Sequence, residues 1–312
     1  MKVLVAGATG AIGRPLVALL QRAGHEVSAL ARSPERATSL QADGVDAHVC
    51  DVFDAASVHA AVAAAAPHVL VDQLTAIPAA LDIRRYDVAF APTNRLRAEA
   101  TPHLMAAAQA AGVRRVVCQG IAFATAPQGP PVHDEDVPLY LDAPKAFAPI
   151  VAAAAALERS VMGTGGVEGV VLRYGFLYGP GTAYAPGGAM GSQIRRRRFP
   201  IVGPGSGVSS FVHVDDAAQA TVAALSGGAP GIYNVCDDEP AAMRDWLPVM
   251  AQALGAERPR RVPTWVGRLA AGPHAVHFAT TLRGNDNARF KRTFGWAPAH
   301  PSWREGFAEA MR

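Results

Sequence analysis

The chain has 312 residues, of which 50% are hydrophobic, 7% aromatic and 18% charged, and its formal net charge is +3. This is a globular composition, long enough for a large buried core, and it excludes a disordered, collagen-like or coiled-coil chain. The charge excess is small and its only dense run, beginning at Arg195, covers residues 195–198, which argues against a nucleic-acid or polybasic membrane surface.

Apolar stretches such as residues 150–157, bounded by Pro149 and Glu158, fall far short of the roughly 20 residues of a membrane span. A soluble protein is expected. The opening MKVLVAGATG runs straight into a strand and a glycine turn, so no export signal is read and a cytoplasmic location is expected. Cys50, Cys118 and Cys236 lack the paired spacing of a zinc site or a disulfide framework and read as free thiols, and no metal site is read.

Val-rich runs alternate with Ala-rich segments of helical spacing from residue 2 to 173, the pattern of βαβ units around a parallel sheet. Strands are predicted at residues 3–6, 27–31, 47–50, 69–72, 116–119 and 167–173. Helices are predicted between them at 12–23, 57–64, 94–111 and 150–162. Two stretches rich in Pro, Gly or Asp, residues 124–149 and 175–207, follow strand ends and are expected to form the substrate region. Beyond them come a helix at 215–225, a strand at 232–235 and helices at 242–254 and 303–311. The expected fold is α/β, a doubly wound parallel sheet over residues 1–174. Residues 175–312 then form a small C-terminal substrate lobe, with interleaved elements returning to the sheet.

VLVAGATGAIGRPLVALL places Gly7, Gly10 and Gly13 between a buried strand and an amphipathic helix. Gly7 permits the tight turn, Gly10 lets a pyrophosphate approach the backbone, and Gly13 allows close helix packing, with the helix N-terminus facing the anion. This is the turn of a Rossmann dinucleotide site, formed here with Thr9, Ala11 and Ile12. The GxxGxxG spacing resembles the short-chain dehydrogenase/reductase superfamily, in its extended branch, the NAD-dependent epimerase/dehydratase family. The resemblance continues in order through DVFD, TNRLRAEATPHLMAAAQAAGVRRVV, VVLRYGFLYGPGT and SSFVHVDDAAQATVAAL. It implies that Asp51 binds the adenine amino group with Val52 beside it, and that Leu74 and Thr75 lie along the cofactor. It also allows a homodimer.

Arg32 stands about 20 residues after the glycine turn, where an NAD enzyme carries an acid for the ribose hydroxyls. An arginine there, with the Ser33 hydroxyl, suits a 2′-phosphate, so NADP is expected over NAD. In FVHVDDA, His213 and Asp215 begin the next helix, with Asp215 placed to cap it.

The resembling enzymes transfer hydride with a Tyr acid/base, a Lys four positions on, and a Ser that polarises the reacting oxygen. Here the serine position is Gly120. Tyr140 precedes Lys145 by five positions, which on a helix turns the two apart by roughly 140°. The family's usual Tyr-to-Arg173 separation falls instead on Pro144 and Ala148. The standard set is read as lost, with Tyr140 and Lys145 as a displaced substitute the alternative, and Tyr178 a further catalytic candidate. His133, Tyr174, Tyr184 and Arg195 are candidates for the substrate pocket, as proton sources or, for Arg195, as an anion contact.

The leading reading is an NADP(H)-dependent oxidoreductase or epimerase/dehydratase-like enzyme on a small carbonyl, hydroxyl or sugar-type metabolite. An NADP-binding regulatory protein without hydride chemistry, and a non-redox isomerase or lyase, remain open on the same fold.

Overall fold

The computed structural model describes residues 1–78 and 83–311. Seven parallel strands form the main sheet, numbered here in chain order: β1 (Lys2–Ala6), β2 (Glu26–Ala31), β3 (Asp46–Val49), β4 (Val69–Asp72), β5 (Arg115–Ile121), β6 (Glu168–Tyr174) and β7 (Gly231–Val235). Their spatial order is β7-β6-β5-β4-β1-β2-β3, so the winding reverses between β1 and β4. The central strands are nearly continuous buried runs, as a sheet covered on both faces requires, whereas the edge strand β3 is only partly buried.

Side chains alternate between the two layers. Val3 and Val5 pack with Leu16 and Leu20 of α1 (Gly13–Arg22) and with α8 (Val214–Ala223). Leu4 and Leu70 pack on the other face with α3 (Ala55–Ala65), α5 (Thr101–Ala110) and α6 (Ala148–Gly163). The sequence reading missed α2 (Pro34–Ala42), although Ser33 accepts the Arg36 N–H as its N-cap and Pro34 occupies its first position. It also ran one helix over residues 94–111. The chain instead enters α4 (Tyr86–Arg95), passes through a five-residue π segment, Leu96–Ala100, and continues as α5.

Residues 175–312 divide between two roles. β7 extends the main sheet beside β6, and α8 packs on α1, so both return to the nucleotide-binding layers. α12 (Ala288–Phe294) likewise packs against β7, and the remainder adds α7 (Ala189–Arg195), α9 (Met243–Ala253), α10 (Thr264–Ala271), α11 (Pro273–Thr280) and α13 (Trp303–Ala310). Trp246, Trp303, Phe307 and Phe211 form the core of that lobe. The cap of α8 is His213, not Asp215: its Nδ1 accepts the Asp215 N–H at 3.2 Å. The fully buried Asp216 accepts the Ala299 and His300 N–H groups at 2.7 and 3.0 Å, fastening the C-terminal segment to α8. All three cysteines are buried and unpaired.

Asp237, just past β7, is 1% exposed, and its Oδ2 has no hydrogen-bond partner. Burial pushes its carboxyl up to about 8. The unfolded chain loses this proton near pH 4 and the fold keeps it until about pH 8, so stability falls as pH rises across that interval. Asp237→Asn, which mimics the protonated acid, is expected to match the wild type in urea denaturation near pH 4. It should gain on the wild type by at most about 1.4 kcal/mol per pH unit toward pH 8. A stability difference that does not change with pH would disprove this account.

Candidate functional site

A cleft of about 1250 Å³ opens at the carboxyl ends of the strands, where the winding reverses. Its floor is the glycine turn. Gly7 has φ +91°, a left-handed conformation, and the Gly10 N–H donates to its carbonyl at 3.0 Å. A Cβ on Gly13 would stand 2.1 Å from the same carbonyl, so only glycine lets α1 seat on the turn. Ile12, the residue before α1, gives no side-chain cap, and the Gly13 N–H has no hydrogen bond among the described residues, whereas the Arg14 N–H donates to Gly10 O at 3.1 Å. Thr9, Gly10, Ala11, Ile12 and Gly13 all line the cleft. An uncapped helix start behind a glycine-rich turn fits a dinucleotide pyrophosphate.

Arg32 extends this surface from the end of β2; it is exposed, and it lines the cleft. Ser33 does not line it: its oxygen caps α2, and its hydroxyl bonds the Glu35 carboxylate, holding that group below the usual carboxylate range. Asp51 and Val52 lie just past β3, outside the cleft lining. Asp51 Oδ1 accepts the Phe53 N–H at 2.9 Å, and the Val52 carbonyl accepts from His103 at 3.1 Å. Thr75 lines the cleft, whereas Leu74 packs against the core of the α3 layer.

The wall beside Gly120 is largely apolar, with Gln119 its polar member. A Cβ on Gly120 would come 2.9 Å from Val171 Cγ1 and 3.3 Å from Arg173 Cγ, so a serine cannot be accommodated without displacing its neighbours. Tyr140 and Lys145 both precede α6, so the helical spacing argument does not govern them, and neither lines the cleft. The Tyr140 ring lies 5.1 Å from His277, while Lys145 is exposed on a turn. Ile121, Phe123 and Ile150 line the cleft on this side instead.

The other candidates divide. Tyr178 is wholly buried between Phe211, His213 and Phe307 in the lobe core and does not reach the cleft. His133 is buried in a short parallel pairing with Asn285 and is likewise outside it. Tyr174 and Tyr184 both line the cleft. The Tyr174 hydroxyl accepts from Gln73 Nε2 at 3.2 Å and shares a 2.7 Å bond with Thr221; burial pushes it up to about 12. Arg195 is exposed and off the cleft; Arg197 and Arg198 from the same run line it, and Arg197 is tied to Glu257.

Sequence reasoning did not identify the aromatic half of the cleft. Phe123 stacks on Phe176 with centroids 4.3 Å apart, and Phe278 meets both edge-on. Tyr86 stacks on His274 at 5.1 Å and tilts against Phe90 at 4.6 Å. Nor did it single out Arg97, which is 5% exposed yet lines the cleft. Its position was legible in principle, because Thr93, Arg97, Thr101 and Leu104 follow the spacing of one buried helical face. Among the described lining residues there are six arginines and no Asp, Glu or Lys, so the cleft favours anions.

No helix among the described residues is long and apolar enough to cross a membrane. A Streptomyces protein described as a 3-diazoavenalumate denitrifying reductase is 51% identical over 309 residues, covering 98% of this chain and 99% of its own. A 2-alkyl-3-oxoalkanoate reductase of Stenotrophomonas maltophilia is 29% identical, covering 83% of this chain and 77% of its own. Among solved structures, the UDP-glucose 4-epimerase of Thermus thermophilus in complex with NAD superposes with a TM-score of 0.74 at 25% identity. The match covers 99% of this chain and 97% of that one. The family model described as the NAD dependent epimerase/dehydratase family matches residues 3–236. The glycine turn, the strand order and these similarities agree: the chain belongs to the NAD-dependent epimerase/dehydratase family, whose members bind a nicotinamide dinucleotide.

Proposed function

We propose that this chain is an NADPH-dependent reductase that replaces the diazo group of a planar organic acid by hydrogen and releases dinitrogen. The observation that carries the reading is the apolar wall at Gly120, Ile121, Phe123 and Ile150. Hydride addition to a carbonyl creates an oxyanion, and losing one preorganised donor to it typically costs about 2.7–4 kcal/mol of transition-state stabilisation. Hydride addition to a diazonium cation cancels charge instead, so no oxyanion donor is required. The 51% identity to a reductase named for a diazo compound supports the same chemistry.

The reaction balances with two electrons and one hydrogen. The terminal nitrogen of R–N₂⁺ takes a hydride to give R–N=N–H, which breaks its C–N bond, keeps the hydrogen on carbon as R–H and loses N₂. Bound over the glycine turn, the reduced dinucleotide supplies that hydride. The chain's own residues position and shield. Phe123, Phe176 and Phe278 form an aromatic surface for a flat substrate and keep water from a cation that water would otherwise attack. Arg32 supports NADPH over NADH, because its guanidinium can pair with a 2′-phosphate at the end of β2.

A second reading, reduction of a 3-oxo acid, is favoured by Tyr86 and Tyr184, whose cleft-lining hydroxyls have no hydrogen bond among the described residues and could protonate an alkoxide.

Mixing the protein with NADPH and diazotised 3-aminocinnamate is expected to oxidise NADPH and release one N₂ per turnover. Deuterium from labelled NADPH should appear in the product C–H bond. No oxidation of NADPH, or consumption of a 2-alkyl-3-oxoalkanoate in preference, would reject the diazo reading. In that assay Tyr140→Phe and Lys145→Ala should leave turnover unchanged; a fall of about a thousandfold, usual for a lost acid/base pair, would restore them as catalytic. For the cofactor, calorimetry on Arg32→Ala should show NADPH binding weakened roughly ten- to a hundredfold, the value of a charge-assisted pair of about 1.5–3 kcal/mol, with NADH little changed. Equal wild-type affinities for the two cofactors would count against the assignment.

A further inference from the structure

Among the described residues three arginines are almost wholly buried: Arg97 at 5% exposure, Arg115 at 3% and Arg173 at 4%. Two of them have carboxylate partners. Arg115 pairs with Glu168 at 2.7 Å, and Arg173 grips Glu158 with two bonds of 2.6 and 2.9 Å. Arg97 has no carboxylate within ion-pairing distance and no hydrogen bond to its guanidinium among the described residues. The buried acid that bears on it most, Asp72, has both oxygens engaged elsewhere. Oδ1 accepts the Leu74 N–H at 3.0 Å and Oδ2 the Thr101 hydroxyl at 2.9 Å.

Burying an unpaired guanidinium is strongly unfavourable, and arginine does not relieve it by shedding its proton. Burial draws Arg97 down only to about 10, so it is cationic at neutral pH. It lies in the π segment between α4 and α5, a distortion often found at functional sites. What separates it from Arg115 and Arg173 is that it lines the cleft. Tyr86 and Tyr184 line the cleft with it; the Arg97 charge acts on Tyr86, and Tyr86 in turn on Tyr184.

We infer that Arg97 is the seat of the substrate's carboxylate, with the Tyr86 and Tyr184 hydroxyls as additional donors. A planar fork of N–H groups matches two carboxylate oxygens, and the anion supplies a partner that the described residues do not. The dinucleotide does not account for this charge, since the glycine turn and Arg32 already offer sites for its phosphates. The rings beside Tyr86, Phe90 and His274, require a ligand with an apolar body behind the anionic end. The inference rests on the proposed function in one respect, the carboxylate on the substrate, and its test needs no diazo chemistry.

The probes are cinnamate and its uncharged methyl ester, titrated calorimetrically into protein saturated with NADP⁺. Wild type is expected to bind cinnamate more tightly than the ester. Arg97→Met should weaken cinnamate roughly ten- to a hundredfold while leaving the ester and NADP⁺ affinities unchanged, and Arg97→Lys should lose less. Without ligand, Arg97→Met should melt above the wild type, because it removes a buried charge that no carboxylate among the described residues pairs with directly. A purely structural arginine would give the opposite shift. A Met variant that binds cinnamate normally, loses NADP⁺, or melts lower or fails to fold would overturn the inference, as would a wild type that ignores cinnamate. If the protein binds cinnamate through Arg97 but leaves diazo compounds untouched, the diazo reading falls and the carboxylate seat stands.

Discussion

The cleft depends on the absence of one carbon atom. A Cβ on Gly7 would stand 2.5 Å from the Gln73 carbonyl, so β1 and β4 can come together at the reversal of winding only with glycine there. That approach fixes Gln73, whose Nε2 donates to Tyr174 Oη on β6; Tyr174 shares its hydroxyl with Thr221 on α8, and Thr221 donates to Ala217 O at 2.8 Å. One buried chain of hydrogen bonds therefore ties β4, β6 and α8 together under the ligand. Each member is within hydrogen-bond reach of the next in a low-dielectric setting, where an unpaired group would be costly. Tyr174 thus serves as a brace, and its raised pKa reflects burial of a bonded hydroxyl.

The apolar wall is equally a product of strand register. Gly120 on β5 lies opposite Arg173 on β6, and the Arg173 stem and Val171 fill the space that a serine side chain would need. Arg173 is held there by Glu158 of α6, so the residue that closes off the serine position is itself fixed by a bidentate ion pair. The packing of β5, β6 and α6 thus leaves no room for a side chain at Gly120, and Phe123 stacked on Phe176 continues the same surface. Gln119 is the polar member of an otherwise apolar surface here, and that surface supports the proposed discharge of a cation.

Charge is distributed with a matching asymmetry. The described lining holds six arginines and no acidic residue, though Arg197 pairs with Glu257 outside it; elsewhere Glu158 and Glu168 neutralise buried arginines, and Asp216 fastens the C-terminal segment. In a concave, partly apolar site such a field is weakly screened. It suits a dinucleotide together with an organic acid.

Features that depend on short-range geometry were legible along the chain. Alternating Val-rich and Ala-rich runs announce the sheet and most of its helices, because burial on two faces and helical periodicity are written locally. The glycine turn was legible for the same reason: Gly7 needs a positive φ and Gly13 has no room for a side chain, both within seven residues of chain. The place of Arg32 at the cleft was legible from its distance to that turn. Which polar groups meet, in contrast, was settled by long-range packing. Tyr178 and His133 carry suggestive chemistry, yet that packing seals them in cores away from the cleft, while Arg195 turns to solvent and Arg197 and Arg198 reach inward. Arg97 looks like any charged helix residue until it is found buried with no carboxylate in ion-pairing distance among the described residues. Its meaning lies in the pairing of groups far apart in the chain, and no local pattern encodes that pairing.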